Sequence, residues 1–166
     1  MTISSPTSIA IISDTHAVLD ERIAALIRQC DYAIHAGDVC GESVLEAMQP
    51  KQGKVYAVAG NNDGYLHGNS LPQQTRIELE SGSIVVEHGH LHGMSKPCHD
   101  SLRKAHSDAR VIVYGHTHTM LQDKSQQPWV VNPGAAGSTR TRGGPSCLVL
   151  KCDEVDWHIT EHRFSE

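Results

Sequence analysis

Short apolar blocks, each closed by polar residues, set the rhythm of this chain. Ile9 to Ile12 is a continuous apolar run, the pattern of a strand buried on both faces, and it stops at Ser13-Asp14-Thr15-His16. Val18, Leu19, Ile23, Leu26 and Ile27 then recur at helical spacing, with Asp20 and Glu21 near the start, where the helix dipole favours anions. Tyr32 to Ala36 reads as a second strand ending in Gly37-Asp38, and Glu42 to Met48 as a helix closed by Pro50 and Gly53. Val55 to Ala59 is a third strand, ending in Gly60-Asn61-Asn62-Asp63. This strand and helix alternation predicts right-handed parallel crossovers with helices covering the sheet.

Beyond a loop at Tyr65 to Pro72, Thr75 to Leu79 and Ser83 to Glu87 resemble a hairpin whose second strand delivers His88-Gly89-His90 and then His92. A helix over Ser101 to Ser107 leads to Val111-Ile112-Val113-Tyr114, a buried strand that turns at Gly115 into His116-Thr117-His118. Thr119 to Asp123, Trp129 to Asn132, Ser146 to Lys151 and Val155 to Thr160 read as further strands. Between the last of these, Asn132-Pro133-Gly134 opens a small-residue loop that ends in Arg140 and Arg142. The pattern is that of one α/β domain over residues 1–166, with no internal repeat and no long linker.

Composition narrows the class. The 166 residues carry a net charge of -5 and lack the basic footprint of a nucleic-acid binder. The five cysteines match no zinc-finger spacing and read as reduced thiols of a cytoplasmic protein. The N-terminus lacks a signal-peptide pattern, and no segment approaches the length of a membrane span. Twelve histidines beside a single Phe and two Trp are too many to be core packing, and they cluster. Clustering favours metal.

Five apolar strands end in ligand-type residues: Asp14 with His16, Asp38, Asn61, His88, and His116 with His118. A lone Asp or His after a strand is an ordinary turn residue, but ligands of open α/β sheets bind outside the strands' carboxyl ends, where all seven converge. Residues two apart in extended chain point the same way with Cα atoms roughly 6 to 7 Å apart, which suits His116 and His118 aimed at ions about 3.5 to 4 Å apart. Imidazole, carboxylate and amide oxygen without thiolate suit Mn²⁺, Fe²⁺, Ni²⁺ or Zn²⁺. Seven ligands exceed the need of one ion.

In this order, Asp-Thr-His (14 to 16), Gly-Asp (37 to 38), Gly-Asn-Asn-Asp (60 to 63), His-Gly-His (88 to 90) and Gly-His-Thr-His (115 to 118) resemble the calcineurin-like metallophosphoesterases. More narrowly, the short chain resembles their small bacterial and archaeal phosphodiesterase subfamily, to which a eukaryotic retromer scaffold subunit also belongs. The resemblance implies a four-layer sandwich of two mixed β-sheets flanked by helices. It implies two divalent ions, Mn²⁺ foremost, with Asp14, His16 and His118 on one, Asn61, His88 and His116 on the other, and Asp38 as the bridge. A bridging hydroxide would attack phosphorus in line, in a small phosphate ester and with a diester preferred over a monoester.

One position departs from the pattern. Larger relatives carry Gly-Asn-His, whose histidine assists the leaving group, whereas this chain has Asn62, which has no proton of useful pKa. Asn62, His90 and His92 are the candidates for contact with substrate, with His90 or His92 as the replacement acid. Arg140 and Arg142 either steer phosphate or form a solvated loop, His67, like His92, is a candidate for lining the cleft, and Tyr65 either stacks on an aromatic or nucleoside leaving group or packs in its loop. His35, His99, His106, His158 and His162 read as ordinary surface or strand residues. The rival reading is a catalytically silent scaffold of the same fold. The metal identity, the substrate and any homo-oligomer stay open at this level.

Overall fold

The computed structural model describes residues 1–63 and 71–166; Tyr65 and His67 lie outside them. In chain order the elements are β1 (Thr2–Ile3), β2 (Thr7–Ile12), α1 (Glu21–Gln29), β3 (Tyr32–His35), α2 (Glu42–Ala47) and β4 (Val55–Ala57). They continue as β5 (Gln74–Leu79), β6 (Gly82–Glu87), a 3₁₀ turn (His90–His92), α3 (His99–Ala105), β7 (Val111–Val113), β8 (Leu121–Asp123), β9 (Trp129–Asn132), β10 (Ser146–Cys152) and β11 (Trp157–Arg163). They build two mixed sheets. One has the order β11-β10-β2-β3-β4 and the other β1-β5-β6-β7-β9-β8. The predicted parallel run is present, with Ile9 paired to Tyr32 and Ala33 to Val55. The β5–β6 hairpin is antiparallel and leads to a parallel β6–β7 pair.

Alternation along β2 explains the layering. Ile9 and Ile11 face the other sheet and join Ile84, Val86, Val111 and Val113 in the central core. Ala10 and Ile12 point the opposite way, onto Ile23 and Ile27 of α1 and Val44 of α2. Every side chain of a two-faced strand is therefore buried, which is why this segment reads as a continuous apolar run. The second sheet repeats the scheme: Val85, Ile112 and Val130 lie on its outer face against Leu102 of α3. Each fully buried aliphatic side chain contributes roughly 1.5 to 3 kcal/mol relative to exposure. The result is helix, sheet, sheet, helix.

Element ends differ from the expectation for local reasons. The first helix begins at Glu21 rather than near Val18, because Asp20 caps it by accepting from the Arg22 N–H at 2.9 Å. Just before it, His16 and Ala17 have left-handed backbone. The last strand begins at Trp157 rather than Val155, since Asp153 Oδ1 accepts from the N–H groups of Val155 and Asp156 and closes a turn there. Strand β1 was not anticipated, as two residues carry no periodicity. Among the described residues no helix is long and apolar enough to cross a membrane.

Candidate metal centre

The turns after β2, β3, β4, β6 and β7 meet at one edge of the sandwich. The Asp14 N–H donates to Gly37 O (2.9 Å), the His16 N–H to Asp38 O (3.1 Å) and the Gly115 N–H to His88 O (3.0 Å), stitching neighbouring strand exits together. Asp63 ties in the β4 exit: its carboxylate accepts from the N–H groups of Gly60 (2.8 Å), Cys40 (2.9 Å) and Val39 (3.2 Å). This buried aspartate stands in the Gly-Asn-Asn-Asp stretch without a role read from sequence, because two of its three partners, Val39 and Cys40, lie in another turn. Two glycines are required by close approach. A Cβ on Gly60 would lie 2.1 Å from Asp38 Oδ1, and one on Gly115 would lie 2.0 Å from Ser13 Oγ and 2.6 Å from Asp14 Oδ2.

Five of the seven anticipated ligands, namely Asp14, His16, Asp38, His116 and His118, have positive φ, between 44° and 71°. For residues with a Cβ that conformation costs on the order of 1 kcal/mol each and persists only where the surroundings enforce it. Here the stitching between turns enforces it and aims the side chains inward.

Asp14 is fully buried. Its Oδ2 accepts from Ser13 Oγ (2.6 Å) and the His116 N–H (3.0 Å), while Oδ1 is buried without a hydrogen-bond partner. That orphan oxygen faces His118 Nε2 at 3.4 Å and the Nε2 atoms of His16 and His88, each at 3.9 Å. Asp38 is held by Asn62, whose backbone N–H reaches Oδ1 and whose Nδ2 reaches Oδ2, both at 2.9 Å. The same Oδ2 lies 3.6 Å from His16 Nε2 and 3.5 Å from His88 Nε2. His16 and His118 bring their Nε2 atoms to 3.2 Å, and His116 Nδ1 lies 3.3 Å from His88 Nε2 and 3.2 Å from Asn61 Oδ1.

The outer ring nitrogens orient these rings. His88 Nδ1 bonds Ala36 O (2.8 Å), and His118 Nδ1 lies 3.1 Å from Arg140 O, which fixes both Nε2 atoms inward as in metal-ligating histidines. A buried carboxylate oxygen with no donor, ringed by inward imidazole nitrogens, is a donor set that a divalent cation satisfies. Asp14, His16 and His118 have ligand atoms all within 4.8 Å of one another, and so do Asp14, Asp38 and His88.

The electrostatics agree. Burial pushes the Asp38 carboxyl up, but the hydrogen bond and charge of His88 and two bonds from Asn62 outweigh it and hold the group well below the usual carboxylate range. For Asp14 the burial penalty is likewise overcome by His118, His88 and Ser13. Burial lowers His16, despite Asp38 and Asp14, whereas the adjacent Asp14 carboxylate raises His118. Cys40 Sγ lies 3.8 Å from His16 Nδ1, yet burial, with Asp63 and Asp38, pushes its thiol to about 12, so it stays a neutral neighbour.

A cavity of about 710 Å³ opens beside the cluster, lined by Asp38, Asn61, Asn62, His116 and His118. Lys96, Arg140 and Arg142 also line it. The two arginines are exposed but sit in the cleft, and Arg142 Nε is anchored on Thr117 O at 3.1 Å. Neither His90 nor His92 lines the cavity. His90 lies beside the cluster, its ring centroid 5.4 Å from that of His88 and tilted by 55° to it, with Nδ1 buried and unpaired. His92 turns away altogether, with Nε2 on Glu87 and Nδ1 on Ser101 Oγ. Glycines at positions 89 and 93 flank their 3₁₀ turn with positive φ, which swings these rings out of the strand direction.

This fold and this constellation define a class, and residues 8–155 match the model of the calcineurin-like phosphoesterase superfamily domain. The chain belongs to that superfamily. It is 28% identical over 144 residues to the probable metallophosphoesterase YsnB of Bacillus subtilis, covering 86% of this chain and 83% of that protein. It is 27% identical to phosphodiesterase YfcE of Escherichia coli, over 86% of each chain. Among solved structures, Vacuolar Protein Sorting 29 from Cryptosporidium parvum superposes with a TM-score of 0.76 at 18% identity, covering 97% of this chain and 99% of that one. The anticipated sandwich of two mixed sheets is the fold of the protein.

Proposed function

We propose that the protein is a metal-dependent phosphodiesterase whose centre takes two divalent ions, manganese foremost, with Asp14, His16 and His118 around one, Asn61, His88 and His116 around the other, and Asp38 between them. The observation that carries this reading is the orphan Oδ1 of buried Asp14 amid three imidazole nitrogens, beside an Asp38 whose Oδ2 lies between His16 and His88. When bound, such a pair supplies a hydroxide nucleophile at neutral pH and positive charge against the phosphate oxygens. The chain's own residues do the rest. Asn62 clamps Asp38 through two hydrogen bonds, a positioning role in place of acid catalysis. Lys96, Arg140 and Arg142 supply cations where a phosphate ester enters, Arg by its planar fork. The cleft's volume of about 710 Å³ leaves room for a diester's two substituents.

The test is to strip the protein with a chelator, restore Mn²⁺, Fe²⁺, Ni²⁺ and Zn²⁺ one at a time, and assay aryl phosphodiester and monoester substrates. Metal-restored turnover with the diester ahead is expected. No metal-dependent turnover of either ester would overturn the enzyme reading in favour of the silent scaffold.

A further inference from the structure

On the opposite face of the second sheet lies another cluster of ligand-type residues. Side chains alternate along β6, so Glu87 points with Val85 toward α3, away from Ile84, Val86 and the His88 side. There it meets two histidines from different elements: His92, at the end of the 3₁₀ turn, and His106, at the C-cap of α3. Glu87 Oε2 lies 2.5 Å from His106 Nε2 and 3.2 Å from His92 Nε2, and Oε1 lies 3.1 Å from His92 Nε2. The three ligand atoms all fall within 4.8 Å of one another. The side chains are only 9% (Glu87), 15% (His92) and 11% (His106) exposed, so water screens the group poorly.

We propose that Glu87, His92 and His106 form a third cation site, selective for Zn²⁺ or a similar borderline divalent ion. Two imidazoles and one carboxylate are the protein ligands of an open zinc site, in which water takes the fourth position. There is room for that water: a cavity of about 430 Å³ adjoins the cluster, bordered by Gln73, Gln74 and Leu91. Ligands sharing a tetrahedral zinc lie about 3.3 Å apart, from metal–ligand distances of roughly 2.0 to 2.1 Å. The two His92 contacts already have that spacing, and the His106 contact must open by less than 1 Å. A second observation points the same way. His92 Nδ1 is held by Ser101 Oγ at 2.7 Å, the outer hydrogen bond that fixes a ligating imidazole with its other nitrogen toward the ion.

An ion here would tie β6, the 3₁₀ turn and α3 together immediately beside His88 and His90. It would brace the strand exit without lining the substrate cleft.

The site is tested in a chain whose main centre is disabled by Asp38→Asn and His118→Ala. Chelator-stripped protein is titrated with Zn²⁺ against a chromophoric competitor, and with Co²⁺ to read the visible spectrum of a low-coordinate ion. One Zn²⁺ per chain is expected, with affinity falling at least tenfold on adding His106→Gln or, separately, His92→Gln, and with the Co²⁺ band lost in both. Circular dichroism establishes that each variant is folded, and two independent ligand changes guard against one that is not. In the otherwise wild-type chain, His106→Gln should lower zinc stoichiometry by one and leave turnover within twofold. Zinc affinity indifferent to both histidines would overturn the proposal and leave the cluster a hydrogen-bonded ion pair. A turnover assay that fails leaves this readout untouched, because it is stoichiometry and spectrum that are measured.

Discussion

The two faces of the six-stranded sheet's β6 carry two histidine and carboxylate clusters built by different means. At the strand exits, backbone does the aiming: Asp14, His16, Asp38, His116 and His118 have left-handed φ, glycines 60 and 115 admit close approach, and Asp63 draws separate turns together. On the helix-covered face, Glu87, His92 and His106 come from a strand, a 3₁₀ turn and a helix cap. None of those three has positive φ. The difference teaches where conformational strain has been concentrated: at the proposed reacting centre, where ligand directions must be held, and not where side-chain packing alone gathers the same residue types.

The strongest blow to that contrast is aimed at Asp38. Asp38→Asn is expected to lower kcat/KM by on the order of a thousandfold, about 4 kcal/mol of transition-state stabilisation. Elemental analysis should then show weakened binding at both positions of the main centre, with the Glu87 cluster unaffected. His118→Ala should chiefly empty one position. Equal and complete loss in both variants would contradict the division of ligands between two ions.

A second difference is acid stability. His35 is fully buried behind the main centre, with Nδ1 accepting from the Gly37 N–H (3.2 Å) and Nε2 beside Thr15 Oγ1 (3.0 Å), whose hydroxyl donates to Val39 O. Burial, against the pull of Asp14 and Asp63, lowers its pKa to about 4. The folded state thus favours the neutral ring. Its contribution is fully present above the unfolded value of 6.5 and is lost as pH falls from there toward 4, by about 3 kcal/mol in all. The depressed carboxylates of Asp14 and Asp38 are lost only at lower pH. Urea unfolding of metal-free protein between pH 7 and 4.5 should show the drop, and His35→Gln should flatten it; a drop that survives the substitution would assign it elsewhere.

The smallest expected effect concerns the leaving group. With Asn62 engaged on Asp38 and His92 turned to Glu87, His90 is the candidate acid still close to the main centre, its pKa lowered by burial and by His88 and His116. Rates across aryl esters of graded leaving-group pKa should steepen by a factor of ten or less in His90→Ala. An unchanged slope would remove His90 from that role.

Much of the fold was legible because β2, β6 and β7 are buried on both faces and therefore carry continuous apolar runs that stop abruptly at polar, ligand-type residues. The candidate ligands were legible for the same reason: a strand end is a position along the chain. Helix and strand limits at Val18, Val155 and Thr2 were not, since a single aspartate cap or a distant pairing partner decides them. His106, read as an ordinary surface or strand residue, proves to be the C-cap of a helix and pressed on Glu87. Its neighbours in space are 14 and 19 residues away, in a 3₁₀ turn and a strand, so no single element's period joins them.

By itself, then, the order of residues determined the layered α/β class, the strand exits as the positions of the candidate ligands, and the residue types offered there, because burial and side-chain period are written locally. Only the tertiary structure decided that Asp14 keeps one oxygen without a donor, that Asn62 clamps Asp38, that His92 leaves the cleft, and that Glu87 gathers two histidines on the far face. Those outcomes depend on directions and distances between separate elements, which arise when the two sheets and their helices close on one another.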